Sequence, residues 1–115
     1  MTPRVRTIVI CDAVDASPTE EGVFTLEGVR QHLTADSFPW RAGLGVFLVL
    51  SNPRKGKYSG KVLIVNEASG RAIRFLKFVA AFEENHQLQP VQLDAGELVF
   101  PEAGQYVFGV YFSTQ

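Results

Sequence analysis

The stretch Gly43–Ser51, GLGVFLVLS, is apolar at nearly every position, with polar Arg41 before it and Ser51–Asn52 at its end. An apolar run this short, rich in Val and Phe and bounded by turn residues, has the pattern of a strand buried on both faces. It predicts a central strand. The rest of the chain reads as a row of shorter amphipathic strands on either side of it.

With 115 residues, the chain has the size of one domain, residues 1–115, with one core and no need of a staple. Hydrophobic residues make up 46% and charged residues 20%, and nine Phe, three Tyr and one Trp supply bulky core material. The formal net charge of −1 gives no global field toward nucleic acid or an anionic membrane, so neither is an expected partner. Cys11, the single cysteine, rules out an intrachain disulfide framework and a multi-thiolate zinc site within one chain, and suits a reducing compartment. Near the N-terminus the apolar patch is interrupted by Thr7 and ended by Asp12 and Asp15, too early for a signal sequence. No segment approaches the roughly 20 apolar residues of a membrane span. The expectation is a soluble cytoplasmic protein.

In chain order, Arg4–Ala13 reads as a first strand, buried on both sides for part of its length, with Val5, Val9 and Cys11 on one side and Ile8 and Ile10 on the other. Asp12–Gly22 has loop composition. Val23–Ala35 reads as a strand whose apolar phase switches at Gly28, as at a β-bulge. Phe38-Pro39-Trp40 then suggests an aromatic plug at one end of the core. Beyond the central stretch, Asn52–Gly60 (NPRKGKYSG) has the composition of a hairpin loop with a basic tip, and Lys61–Asn66 is a strong strand. Glu67–Gly70 is a turn. Arg71–Phe82 fits a strand with Leu76, Phe78, Ala80 and Phe82 on one face, and its spacing also fits a helix of about three turns. Leu88–Leu93 is an edge strand because of Pro90, Asp94-Ala95-Gly96 a turn or bulge, and Glu97–Phe100 a further strand. Pro101–Gly104 turns the chain into Tyr106–Phe112, which is apolar on both faces and so predicts cover on both sides.

Seven to eight short strands with turn chemistry between them predict an all-β fold, an antiparallel, immunoglobulin-like β-sandwich. The segment LVFPEAGQYVFGVYF, residues 98–112, has the Pro/Gly corner followed by Gly-x-Tyr that immunoglobulin-like sandwiches place between late strands. Such folds usually carry one more strand, whereas this sequence stops at Ser113-Thr114-Gln115. An apolar strand left at a sheet edge needs a cover. The expectation is a homodimer, the other possibility being cover by Leu88–Leu93 or by the N-terminal strand.

Cys11–Ala13, Gly22–Val29 (GVFTLEGV), Ser37-Phe38-Pro39 and Gly104–Phe108 together resemble a bacterial family of small uncharacterised proteins, a domain of unknown function. The resemblance implies a compact β-sandwich of bacterial origin and carries no activity, cofactor or site residues.

No nucleophile elbow, phosphate loop or dinucleotide fingerprint occurs, so no catalytic residue and no cofactor is expected. His32 and His86 lack acidic or thiol partners at metal-ligand spacing, and Cys11 reads as a buried inert thiol. The acidic loops, with Asp12, Asp15, Glu20 and Glu21 in one and Glu83 and Glu84 in the other, match no cation loop and read as solvated faces. Arg54, Lys55 and Lys57, with Lys61 following, form a basic loop suited to a phosphate or an acidic partner, although an exposed hairpin explains them as well. Trp40, Tyr58, Tyr106 and Tyr111 are candidates for a sugar-stacking platform, and the ligand-binding expectation falls on Trp40 and Tyr58. The leading reading is a non-enzymatic protein acting by protein–protein contact, chiefly with itself. A small-ligand or carbohydrate module ranks second and an enzyme with an unrecognised site third.

Overall fold

In the computed structural model, which describes residues 2–30, 32–52 and 54–113, the apolar stretch is the heart of a long strand in the middle of a sheet. That strand, β4 (Trp40–Asn52), pairs on one side with β1 (Arg4–Cys11) and on the other with β7 (Gln87–Phe100). A second three-stranded sheet has β5 (Gly56–Asn66) between β6 (Ala72–Phe82) and β8 (Tyr106–Phe112). The remaining pair, β2 (Ala13–Ala16) and β3 (Phe24–Glu27), forms a small hairpin. Among the described residues all eight elements are strands and every pairing is antiparallel. Gln31, Pro53 and Thr114–Gln115, on which parts of the expected 23–35 strand, the basic loop and the chain end fall, lie outside the described residues.

Alternation along the strands decides what is buried. Val46, Leu48 and Leu50 of β4 point to one side and share a cluster with Val91 of β7, Val62 of β5, and Phe78, Ala80 and Phe82 of β6. A second cluster joins Leu44, Ala95, Leu98 and Phe100 to Ile64, with Trp40 packed against it. Each cluster draws on both three-stranded sheets. Leu48, Leu50 and Ile64 are completely buried, and each contributes about 2 kcal/mol by leaving water. Opposite Leu44–Gly45, Ala95 is the extra residue of a bulge: Leu44 pairs with Gly96 and Gly45 with Asp94. Gly96 takes φ +61° and its N–H donates to Asp94 Oδ1 at 2.8 Å, which is why this tripeptide interrupts the strand without ending it.

The other face of the β1-β4-β7 sheet is covered by the hairpin. Phe24 packs on Phe47 with ring centroids 5.1 Å apart, and Gln92 Nε2 donates to the Val14 carbonyl at 2.7 Å. Gly45 leaves room there for Val14, whose Cγ2 would lie 3.4 Å from a Cβ. Central β4 is thus covered on both sides, as its unbroken apolar run predicts.

Several expectations need correction. Residues 13–16 are strand rather than loop, because they turn back over β4 and pair with β3. The strand expected over 23–35 ends at Glu27: Gly28, at φ +64°, leads the chain off the sheet, and Arg30 N–H donates to the Ile10 carbonyl instead. β1 is an edge strand, buried only toward Cys11, and a bulge at Arg6 moves Val5 to the side of Ile8 and Ile10. The segments 88–93 and 97–100 form one strand. Ala72–Phe82 is strand and not helix, its inward Phe78, Ala80 and Phe82 buried in alternation. β8 is not covered on both faces: Val107 and Tyr111 are 49% and 53% exposed, since the β2–β3 hairpin lies on the other sheet. Neither Leu88–Leu93 nor the N-terminal strand covers its edge; both belong to the sheet containing β4.

Candidate binding cleft

Beyond β3, Arg30, His32, Leu33, Ala35 and Phe38 line one side of an open cleft of about 530 Å³, and the start of β8 lines another. Its floor is aromatic. Trp40 stacks at a tilt on Phe100, with centroids 5.6 Å apart, and Phe100 meets Tyr106 edge to face at 5.0 Å. The Tyr106 hydroxyl donates to the Glu102 carbonyl at 2.7 Å, tying the 101–105 corner to the strand that follows it. Trp40 is half-buried against the core, as a plug would be, whereas Phe38 is 41% exposed and lines the cleft instead of closing the core.

Polar groups of the cleft come from three separated parts of the chain. Arg30 and His32 come from segment 29–39, Glu67 from the β5–β6 turn, and Glu102 from the corner before β8. Arg30 is already engaged: Nε and one terminal nitrogen each donate to an Asp12 oxygen at 2.9 Å. Asp12 is held for this by its N–H on the Glu27 carbonyl at 2.8 Å, and its carboxylate occupies the space a side chain on Gly28 would need. Glu67 and Glu102 are exposed and belong to neither ion pair of the described residues, Arg30–Asp12 and Arg41–Glu97. The free formal charge at the cleft is therefore negative.

β8 forms one rim. Ser113 N–H donates to the Ser59 carbonyl at 2.9 Å and Glu67 N–H to the Gln105 carbonyl at 2.8 Å, which sets the phase of the β5–β8 ladder. Hydrogen-bonded pairs alternate along an antiparallel ladder. Hence Val107, Gly109 and Tyr111 turn their backbone groups toward β5, while those of Tyr106, Phe108, Val110 and Phe112 point away from it. Among the described residues β8 has no second neighbour. Tyr106 and Phe108 line the cleft; Val110 and Phe112 lie beyond it.

Of the ligand-binding residues expected from sequence, Trp40 lines this cleft and Tyr58 does not. Tyr58 packs edge to face on Phe82 at 5.9 Å, near the start of β5, at the opposite end of that strand from Glu67. The two do not form one platform. The basic loop is at that far end too: Arg54, Lys55 and Lys57 are exposed, and Lys55 N–H donates to Asn85 Oδ1 at 3.0 Å. No family model, curated protein or solved structure matches this chain. Among the described residues no three His, Cys, Asp or Glu side chains are grouped as metal ligands, and no helix is long and apolar enough to cross a membrane. Cys11 is completely buried beneath the hairpin, and burial, with the nearby Asp12 charge second, raises its thiol pKa.

Sequence reasoning grouped Phe38 with Trp40 only as a core plug, and missed Glu67 and Glu102 as neighbours of Trp40. The signal available was the length of the 29–39 stretch, which carries Val29, Leu33, Ala35 and Phe38 among polar residues.

Proposed function

We propose that this protein works by binding protein at the free edge of β8, with a second copy of itself as the occupant, and that it catalyses no reaction. The observation that carries this reading is the phase of the β5–β8 ladder, which leaves the N–H and C=O groups of Val110 and Phe112 unpaired among the described residues and clear of the cleft. Two β8 strands meeting antiparallel there would continue one sheet into the other around a two-fold axis, and exposed Tyr111 would join the contact. An immunoglobulin-like sandwich of bacterial, cytoplasmic origin is the fold in which we place this edge. The shared clusters of the two sheets support the sandwich part of that reading, as does the Tyr106 hydroxyl bonded back to the Glu102 carbonyl, four residues upstream.

Sedimentation equilibrium tests the reading. The wild-type chain is expected to be a dimer at micromolar concentration and Val110→Pro a monomer, because proline removes an N–H that serves only the free edge. The variant keeps the β5 ladder and is expected to fold. A monomeric wild-type chain would overturn the proposal. The second reading, a small-ligand or carbohydrate module, is favoured by the position of Trp40 in the cleft and no longer includes Tyr58.

A further inference from the structure

We infer that the cleft half of β8 binds an extended, arginine- or lysine-bearing segment of another protein, added as a strand beside Tyr106–Phe108. The inference rests on the reading of β8 as a strand-adding edge and names a second occupant for it. Three features of the cleft converge on this chemistry. The unpaired backbone groups of Tyr106 and Phe108 sit at one rim, so an extended chain can take them as a sheet takes a new strand. Phe38 and Trp40 offer apolar ring surface, which attracts both aliphatic side-chain stems and cationic heads.

Charge then selects among peptides. Arg30, the one arginine lining the cleft, is held in a two-point pair by Asp12, whereas Glu67 and Glu102 have no cation within ion-pair distance among the described residues. An acidic segment would meet two carboxylates and an arginine already engaged. A basic segment would supply the missing partners, and charge-assisted hydrogen bonds to carboxylates are the stronger class.

Trp40 is the only tryptophan in the chain, so its emission reports on the cleft directly. The probes are three blocked hexapeptides of alternating valine with arginine, serine or glutamate, titrated against the wild-type protein, Glu67→Gln/Glu102→Gln and Val110→Pro. The arginine peptide is expected to change Trp40 emission saturably and to perturb the Tyr106 and Phe108 amide resonances. Binding by the double glutamine variant is expected to be about tenfold weaker. The serine and glutamate peptides are expected to bind weakly or not at all. An unchanged Trp40 signal, equal binding of the serine peptide, or full affinity in the double variant would overturn the inference. Val110→Pro separates the two proposals: it is expected to lose self-association and keep peptide binding. A dimer that ignores the arginine peptide sinks only the cleft proposal, and a monomer that binds it sinks only the dimer. Concentration-dependent Trp40 emission in protein alone, abolished by Lys55→Glu, would identify the occupant as the basic loop of another copy and also overturn the inference.

Discussion

Phe78 on β6 and Phe112 on β8 meet edge to face, their ring centroids 5.9 Å apart and their planes at 87°, although a whole strand separates them. Gly60 of β5 makes the contact possible. It pairs with Phe78 on one side and Phe112 on the other, and its missing side chain leaves the space in which the rings touch.

Gly60→Ala is therefore expected to destabilise the fold by about 2 kcal/mol through overpacking. The new Cβ would sit 2.6 Å from Phe78 Cζ and 3.0 Å from the Tyr111 carbonyl oxygen. Moving the ring would break its contact with Phe112, and moving the carbonyl would disturb β8. Urea unfolding reads the loss as a lower midpoint at unchanged slope; an unchanged midpoint would show that the rings have slack.

Asn66 is 3% exposed and closes the β5–β6 turn, its Oδ1 accepting the N–H groups of Ala68 at 3.0 Å and Ser69 at 3.1 Å. Asn66→Ala removes that acceptor and is expected to cost about 2 kcal/mol. Glu67 stands on this turn, so arginine-peptide affinity is expected to fall with it. Stability and affinity measured on the same variant check both, and loss of neither would mean that the turn holds itself.

Tyr106→Phe keeps the ring against Phe100 but loses the bond to the Glu102 carbonyl. A drop of about 1 kcal/mol, or about 4 °C in Tm, is expected. Calorimetry measures it, and an unchanged Tm would show the hydroxyl to be equally well satisfied by water.

Cys11 is expected to resist an aromatic disulfide reagent at pH 8 in the native protein and to react fully in denaturant. Burial raises its pKa in the folded state. The unfolded chain therefore loses this proton first, so the group has no effect on stability below the ordinary thiol range, around pH 8. Stability falls as pH rises through that range. Comparing Cys11→Ser with wild type between pH 7 and 10 isolates the effect, and parallel curves would rule it out.

Much of the strand pattern was legible in the residues. The unbroken apolar run of β4, the alternation of Leu76 to Phe82, the edge position of Pro90 and the bulge at Asp94–Gly96 each follow from local rules of period, proline and turn chemistry. Local rules failed where a partner distant in sequence decided the outcome. Ala13–Ala16 follows Asp12, contains Asp15 and looks like loop, yet it is strand because β3 pairs with it above β4. The phase of Val5 depends on one extra residue, Arg6, which composition does not mark.

The cleft was less legible than the fold. Trp40 was recognisable as an aromatic at a strand end, but Glu67 and Glu102 join it only because the β5–β6 turn and the 101–105 corner lie at the same end of the molecule. Tyr58 looks like an equal candidate in sequence and lies near the start of β5, at the other end of that strand from Glu67.

The sequence by itself determined that this is an all-β chain with β4 at its centre, because strand period and apolar runs are properties of neighbouring residues. Only the tertiary structure decided which surfaces stayed open. Both faces of β8 are apolar, but the β2–β3 hairpin covers the other sheet, so Val107 and Tyr111 face solvent and the edge of β8 has no neighbour among the described residues. Cover is a relation between segments far apart in the chain, and no local pattern of residues contains it.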